Sequence, residues 1–247
     1  MLQPAGCSGA QNMAIDDALL HEADQSGDAF LRLYRFSPAC LSFGRNEPAR
    51  ARYDRAAIER HGFDVVRRPT GGRAVWHEHE VTYAVAAPVE AFGSLRESYQ
   101  TIHARLAGAL KRLGVDATLA PGRDGAVGPG AGAGACFATP VGGEVLVNGK
   151  KVIGSAQVRH GRAFLQHGSI LLDGSQDVLS AISYQPSANG SSTSLSAVLG
   201  RSVTFDEVST AIVATWAPEL TPTVPYRPLP SSTASTAFKD PAWTWRC

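Results

Sequence analysis

The chain has 247 residues, which is enough for one large domain, or a domain with a tail, that buries a proper core. Apolar residues make up 44% and charged residues 18%, a balance that predicts a globular protein. The 23 basic and 22 acidic residues nearly cancel and form no block of like charge, so nothing in the composition points to nucleic acid.

The four cysteines stand at positions 7, 40, 136 and 247, and none belongs to a CxxC pair. This wide spacing argues against a zinc site or a disulfide framework and favours a reducing compartment. "AGC" at 5–7 faintly resembles a lipoprotein cleavage site, but neither a basic start nor an apolar run precedes it. We therefore expect no signal peptide, no membrane span and a cytoplasmic location.

The first part of the chain predicts helices and strands in alternation. Ile15, Leu19 and Ala23 recur at helical spacing and predict a helix over 12–23. A second helix is predicted over 54–61. β-rich segments predict strands at 30–36, 40–44, 63–67 and 81–86.

Two capping boxes mark the start of longer helices. Ser94 stands three residues before Glu97, and Thr204 stands three residues before Glu207. After the first box, six apolar residues form one helical stripe, which Gly114 brings to an end. The stripe consists of Leu95, Tyr99, Ile102, Leu106, Leu110 and Leu113.

Hairpins are predicted between these two helices. Asn148-Gly149 separates two β-rich runs and is a strong hairpin signal, and a further turn at "RHGR" predicts three antiparallel strands within 144–172. Long helices beside hairpins predict an α+β fold with a mixed or antiparallel sheet flanked by helices.

The composition changes after residue 220, where Pro, Ser and Thr become frequent. We therefore expect one domain over 1–220 and an irregular tail over 221–247. Trp243 and Trp245 could anchor the end of that tail.

Cys136 lies in 125–143, a stretch with no charge and seven glycines. Most free cysteines are small buried hydrophobes, and that is the plain interpretation here. Glycines also permit a mobile lid and the close approach of a substrate. The segment by itself leaves both interpretations open.

Lys150 and Lys151 follow the predicted hairpin turn, and strand alternation sends them to opposite faces. Two solvated lysines are the plain interpretation. A lysine close to a cysteine would instead stabilise the thiolate and lower the thiol pKa from about 8.5. The pattern does not decide which of the two faces is buried.

Two further segments carry candidate site residues. In "RRPTGGRAVWHEHE", two glycines flanked by arginines either form a tight turn or surround an anionic or carbonyl group with N–H donors. His77 and His79 are expected to share one strand face, but no third ligand is evident, so no metal site is predicted. His167 suits an acid or base, a pocket wall or a core histidine.

Four stretches occur in order along the chain: NMAIDDALL, RRPTGGRAVWHEHEVTYAV, ACFATP and NGKKVIGSAQVRHGRAFLQHGSILLD. Over roughly 8–200 they resemble the biotin/lipoate protein ligase superfamily. Within it, the chain is most similar to the octanoyltransferases of lipoate synthesis that share the lipoate-ligase scaffold. The resemblance implies an α+β catalytic domain like that of biotin protein ligase.

In that family a cysteine in "ACF" carries the acyl group as a thioester, and a lysine of the "GKK" motif lowers its pKa. The matching positions are Cys136 and Lys151. The resemblance also implies that the glycine-rich run 125–135 is a lid that brings the thiol over an acyl pocket. The substrate-binding residues that it implies are Arg68, Gly71, Gly72, Arg73, Ala74, His77, Gly154, Ser155, Ala156 and His167.

The implied donor is octanoyl-acyl carrier protein. The implied acceptor is a lysine of a lipoyl domain, such as the glycine-cleavage H protein or a 2-oxoacid dehydrogenase E2. Because forming an amide from a thioester is downhill, the reaction is expected to use no cofactor, ATP or metal.

Two alternatives remain. An ATP-dependent lipoate–protein ligase shares the scaffold and the lysine but needs no cysteine, and it commonly carries an extra C-terminal domain for which the tail is too short. A non-catalytic protein that binds lipoyl domains is the other, and the presence of both Cys136 and Lys151 argues against it.

Overall fold

The computed structural model describes residues 2–121, 143–185, 192–217 and 232–246. Its strands are β1 (Leu2–Cys7), β2 (Phe30–Phe36), β3 (Cys40–Phe43), β4 (Asp64–Arg67), β5 (Val75–His77), β6 (Glu80–Pro88), β7 (Ala117–Leu119), β8 (Val145–Val147), β9 (Lys150–Lys151), β10 (Ile153–His160) and β11 (Ala163–Leu171). Its helices are α1 (Gly9–Ser26), α2 (Ala49–Arg52), α3 (Arg55–His61), α4 (Leu95–Arg112), α5 (Val178–Ala181), α6 (Leu195–Leu199), α7 (Phe205–Trp216), α8 (Ser232–Lys239) and α9 (Pro241–Thr244), with a short 3-10 helix at Val89–Phe92. Among the helices of these residues, none combines the length and the hydropathy needed to cross a membrane.

A five-stranded mixed sheet in the order β1-β2-β6-β11-β10 forms the centre of the fold. β1 runs parallel to β2, and the other neighbours are antiparallel. α1 packs on one face through Met13 and Leu20, whereas α4 and α7 pack on the other through Ile102 and Ile212. Helices therefore flank a mixed sheet on both sides, as the α+β prediction requires.

Two three-stranded sheets complete the architecture, in the orders β4-β3-β5 and β7-β8-β9. The first has its own core, in which Phe43 and Trp76 pack with residues of α2 and α3. The second packs against α4. The pattern does not predict β1, because Pro4 and Gly6 disfavour strands, but the edge position of β1 tolerates both.

The predicted helix starts are correct to within a few residues. Thr204 and Glu207 form both hydrogen bonds of a capping box at the start of α7. At the start of α4 only the first of the two bonds is present, from the Glu97 backbone N–H to Ser94 Oγ over 3.2 Å. α1 begins earlier than predicted because Ser8 caps it.

The Asn148-Gly149 turn is confirmed, since both residues have positive φ, at 51° and 73°. The strand predicted to follow it is broken at Val152. The Val152 N–H donates to Val145 O, and its carbonyl accepts from the Leu171 N–H, each over 3.3 Å. Val152 thus joins two sheets: the segment 144–172 pairs antiparallel as predicted, but the middle one of the three predicted strands is divided into β9 and β10.

The C-terminal segment is not irregular where it is described, because α8 and α9 form there. Asp240 caps α9 through a 2.8 Å bond from the Ala242 N–H, and Pro241 takes the first helical position. Trp245 is buried with its ring 5.4 Å from that of Phe43, so the predicted anchoring is confirmed. The predicted domain boundary at residue 220 lies outside the described residues.

Candidate functional site

A small pocket lies between α1 and the sheet face that packs on it. Strand register explains its base, because paired residues of neighbouring strands point to the same face. One cross-strand row consists of Tyr34, Thr82, Ser169 and Gly154, and the next of Arg32, Ala84, His167 and Ala156. Gly154 and Ala156 end these rows, and their small size leaves room there for a ligand.

Asp16 is the centre of a buried hydrogen-bond network beneath the pocket. Its carboxylate accepts from Arg32 Nη1 over 2.6 Å and from the Tyr34 hydroxyl over 2.8 Å. His167 Nδ1 donates to the same carboxylate over 2.9 Å, while its Nε2 lies 2.7 Å from the hydroxyl of Thr70. Both ring nitrogens of His167 are therefore engaged inside the protein.

The charges of this network are fixed by their surroundings. Burial raises the pKa of Asp16, but Arg32, His167 and Tyr34 outweigh burial and bring that pKa below its ordinary value. Burial lowers the pKa of His167, although Asp16 opposes the shift. A neutral His167 beside an ionised Asp16 is the state that results at neutral pH.

A second buried network surrounds Glu80. Its carboxylate accepts from His77 Nδ1 over 2.7 Å and from the hydroxyls of Thr82 and Ser169. His77 Nε2 lies 2.6 Å from Ser42 Oγ. Thus three pocket-lining side chains turn their polar atoms toward one carboxylate.

Arg68 also lines the pocket, and its polar atoms are hydrogen-bonded to other protein groups. Its guanidinium donates to Ser42, through the carbonyl and the hydroxyl, and to the carbonyls of Gly71 and Arg73. The pocket-lining polar side chains therefore bond to protein partners and present mainly carbon to the cavity. Such a wall suits an aliphatic ligand, because a buried polar atom without a partner would oppose its binding.

Lys151 is buried, with 1% of its surface exposed, and its Nζ lies 2.5 Å from Glu144 Oε1. Lys150, on the other side of β9, is exposed. Lys151 stands directly before the strand that supplies Gly154 and Ala156 to the pocket. The choice that the sequence left open is thus resolved in favour of burying Lys151.

Apart from Lys151, the predicted site residues lie in four places. Those that line the pocket are Arg68, His77, Gly154, Ser155, Ala156 and His167. Gly71, Gly72 and Arg73 lie in the adjoining loop, where Gly71 and Arg73 hold Arg68, and Ala74 is buried in the core of the β4-β3-β5 sheet. Cys136 and the predicted lid over 125–135 lie outside the described residues.

His77 and His79 do not share a strand face as expected. β5 ends at His77, and the chain turns before β6 begins at Glu80, which buries His77 and leaves His79 exposed. Within the described part of the chain, no three His, Cys, Asp or Glu side chains form a group that could hold a metal ion.

Four buried polar residues of the site are not among the predicted site residues: Asp16, Glu80, His103 and Glu144. Asp16 carries a detectable signal, since a carboxylate beside Ile15 in a helix pattern is out of place unless it is paired. Glu80 has two of its partners, His77 and Thr82, within three residues, whereas His103 and Glu144 have no local signal because their partners come from other elements.

A pocket whose wall presents mainly carbon thus lies between a helix and a mixed sheet, and the buried Lys151 precedes Gly154 of that wall by three residues. Residues 8–217 match the lipoyl protein ligase A/B catalytic domain, and the chain belongs to that family. Among solved structures, lipoate-protein ligase A bound with ATP has the same fold, with a TM-score of 0.79 and 20% identity over 99% of this chain and 97% of the other. A bipartite lipoate protein ligase from Thermoplasma acidophilum has a TM-score of 0.74 at 18% identity, over 99% and 95%.

Curated relatives are more similar in sequence. Octanoyltransferase LipM of Carboxydothermus hydrogenoformans is 43% identical over 67% of this chain and 61% of its own length. The LipM of Kyrpidia tusciae is 43% identical over 73% and 68%, and that of Symbiobacterium thermophilum is 37% identical over 85% and 81%. The matched region thus spans about three fifths of the length of the first of these relatives.

Proposed function

We propose that this protein is an octanoyltransferase that moves an octanoyl group from octanoyl-acyl carrier protein, through a thioester on Cys136, to a lysine of a lipoyl domain. The observation that carries the proposal is the pocket itself, whose wall presents mainly carbon and so suits a saturated chain. The buried Lys151 precedes Gly154 of that wall by three residues in the chain. The octanoyltransferase relatives, at 37–43% identity, support the same activity.

In the first step the Cys136 thiolate attacks the carbonyl carbon of the carrier's thioester. A new C–S bond forms, the old C–S bond breaks, and the carrier leaves as a thiolate, which takes from solvent the equivalent of the proton that Cys136 gave up on ionising. The Lys151 ammonium has three donors, so it can remain on Glu144 and still donate to the thiolate or to the developing oxyanion.

In the second step the amine of the acceptor lysine attacks the acyl-enzyme. An amide C–N bond forms, the thioester C–S bond breaks, and the amine proton passes to the departing Cys136 sulfur. The acceptor is a lipoyl domain of the glycine-cleavage H protein or of a 2-oxoacid dehydrogenase E2. The E2 lipoyl domain named with the Thermoplasma ligase is a partner of this kind.

We place this reaction in the cytoplasm. Cys7 and Cys40 are free thiols, which suits a reducing compartment. An enzyme whose nucleophile is itself a thiol would also depend on such a compartment.

Intact mass spectrometry tests the proposal. The purified protein is mixed with octanoyl-acyl carrier protein, and we expect a mass increase of one octanoyl group, which is lost again when an apo lipoyl domain is added. Cys136→Ser should gain no thioester, because a serine hydroxyl is a far weaker nucleophile near neutral pH. Cys7→Ser is the matched control and should acylate like the parent.

The same assay separates the alternatives. Full transfer by Cys136→Ser would exclude the acyl-enzyme. Modification of the lipoyl domain only with ATP and free lipoate would identify a ligase, and binding of the lipoyl domain without any transfer would identify a binding protein.

A further inference from the structure

His103 lies in the apolar stripe of α4, yet both of its ring nitrogens are hydrogen-bonded across elements. Nδ1 lies 2.7 Å from the carbonyl oxygen of Gly143, and Nε2 lies 2.8 Å from Ser155 Oγ. These two partners flank the hairpin that carries Lys151, one just before β8 and the other in β10. One imidazole therefore joins both ends of the segment that presents the lysine.

The partners of His103 determine its tautomer. The Gly143 carbonyl can only accept, so Nδ1 must carry the proton. Burial lowers the pKa of His103 to about 4, with a smaller contribution from the nearby Lys151 charge, and the ring is neutral near pH 7. Its Nε2 therefore accepts from the Ser155 hydroxyl.

The hydroxyl of Ser155 is in turn placed by a directed chain of hydrogen bonds. Tyr83 donates to Ser155 Oγ over 2.7 Å, and Gln166 Nε2 donates to the Tyr83 oxygen over 3.0 Å. Gln157 Nε2 completes the chain by donating to Gln166 Oε1 over 3.1 Å. Gln157 Nε2 also donates to Ser98 Oγ of α4 over 2.9 Å, and the Tyr83 hydroxyl lies 3.5 Å from His103 Nε2, so the sheet and α4 together hold Ser155 and His103 in place.

Gly143 transmits this orientation to the lysine. Its N–H donates to Ala120 O over 2.9 Å, and the carboxylate of the next residue, Glu144, accepts from Lys151 Nζ. A shift of the Gly143 carbonyl would move the backbone of Glu144 and with it the ammonium.

We propose that His103 is a positioning residue that fixes the Lys151 ammonium by holding Gly143 and Ser155. This role rests on the proposed octanoyl transfer, in which Lys151 stabilises negative charge at the reacting thioester. It does not require His103 to touch the substrate.

Two substitutions test the two hydrogen bonds of the His103 ring one at a time. In His103→Asn the side-chain N–H occupies the place of Nδ1 and can still donate to Gly143. In His103→Gln the amide reaches the place of Nε2, near Ser155, and the bond to Gly143 is lost. Ile102→Val, in the same turn of α4 and the same core, is the control for a loss of packing alone.

The first measurement is the ammonium resonance of Lys151 in 15N-labelled protein, assigned by its absence in Lys151→Arg. We expect it to shift in His103→Gln and to stay in place in His103→Asn and Ile102→Val. An unchanged resonance in His103→Gln, or an equal shift in Ile102→Val, would overturn the proposal. This readout does not depend on the reaction.

The second measurement is the rate of Cys136 acylation by octanoyl-acyl carrier protein. We expect His103→Gln to lower kcat about tenfold or more while KM changes less than about twofold, because misplacement of a catalytic group affects the chemical step. The kcat of His103→Asn should stay within about threefold of the parent value, because this variant keeps the bond to Gly143. Equal kcat values for His103→Gln and Ile102→Val at matched Tm would exclude positioning.

The two proposals fail in different ways. A parent protein that forms no thioester would overturn the octanoyltransferase assignment, and the Lys151 resonance would still decide the role of His103. If His103→Gln does not fold, His103→Asn decides alone. A displaced Lys151 resonance in that variant would refute the part assigned to Nδ1, and one that stays in place would support it.

Discussion

Lys150 and Lys151 are neighbours in the chain, but their surroundings differ completely. Lys150 is exposed at the hairpin, and Lys151 is 1% exposed and bonded to Glu144. A buried ammonium is costly unless a carboxylate accompanies it, so the pair is a single unit. Two apolar side chains could fill the same place without this cost, so a buried ion pair here is consistent with a functional role for the ammonium.

This difference leads to a prediction for the two lysines. Lys151→Ala should slow octanoyl transfer about 100-fold, since removal of one donor to a developing oxyanion typically has this effect. Lys150→Ala should stay within about twofold, as expected of an exposed side chain. Single-turnover rates with octanoyl-acyl carrier protein provide the comparison, and comparable losses in the two variants would mean that burial is a poor guide to the role.

Stability must be separated from chemistry in this experiment. Lys151→Ala removes the cation beside a buried carboxylate, which costs about 3–5 kcal/mol of folding free energy. The double variant Lys151→Met with Glu144→Gln removes both charges and should recover much of that loss. It should remain as inactive as Lys151→Ala, and recovery of transfer would refute the role of the ammonium.

At the level of elements, predictions that rest on neighbouring residues are confirmed, and those that depend on contacts between distant parts of the chain are not. α4 and α7 follow from apolar stripes and caps, which involve residues within one or two turns. The Asn148-Gly149 turn follows from backbone preferences of those two residues alone. The break at Val152 is set by hydrogen bonds to β8 and β11, and no pattern within 150–158 contains that information.

His103 shows why the candidate site is only partly predictable. Within an apolar stripe, a histidine reads as one more buried residue of α4. Its partners Gly143 and Ser155 lie 40 and 52 residues away. By contrast, "RRPTGGRAV" attracts notice because glycines flanked by arginines can surround an anionic or carbonyl group, and "GSAQ" does so through the family resemblance.

β11 supplies the prediction at this scale. A Cβ added at Gly168 would lie 2.5 Å from both Gly154 O and Ser155 Oγ and 2.8 Å from the Tyr83 ring, closer than atoms approach. Gly168→Ala should therefore separate β10 from β11 and cost roughly 1–3 kcal/mol, as overpacking does. Gly71→Ala is the control, because nothing lies within 4 Å of its added Cβ and its φ is not positive.

Denaturant titration of the two glycine variants gives the answer. We expect a lower midpoint for Gly168→Ala and a change within about 0.5 kcal/mol for Gly71→Ala. A Gly168→Ala protein with parental stability would mean that β10 adapts without loss, and the pocket wall would then be less rigid than its hydrogen bonds imply.

Across the whole molecule, the site is assembled from distant parts of the chain. Asp16 and His167 are 151 residues apart, and they bring α1 and β11 together under the pocket. Arg67 connects parts that are more distant still. It donates to Gly44 O and Glu47 O on one side and to Trp243 O and Thr244 O on the other.

The buried Arg67 guanidinium thus ties the C-terminal helices to the loop after β3. Burial, with the neighbouring Arg246 charge, lowers the pKa of Arg67 to about 10, so the group stays charged at neutral pH and needs its acceptors. The same loop reaches the pocket, since the Arg45 N–H donates to the carbonyl of Thr70, whose hydroxyl bonds His167.

This arrangement predicts that the C-terminal segment stabilises the fold. Trp245→Ala removes a buried ring that packs on Phe43, and a loss of about 3–5 kcal/mol is typical of such a substitution. In a chain of this size that loss corresponds to a fall in Tm of roughly 10 °C.

Removing 232–247 should lower Tm further, because Arg67 then loses its acceptors in α9 and beyond. Lys239→Ala, exposed at the end of α8, is the control and should leave Tm unchanged. Calorimetry of the three variants decides, and a truncated protein that melts with the parent would show that α8 and α9 add nothing to the stability of the domain.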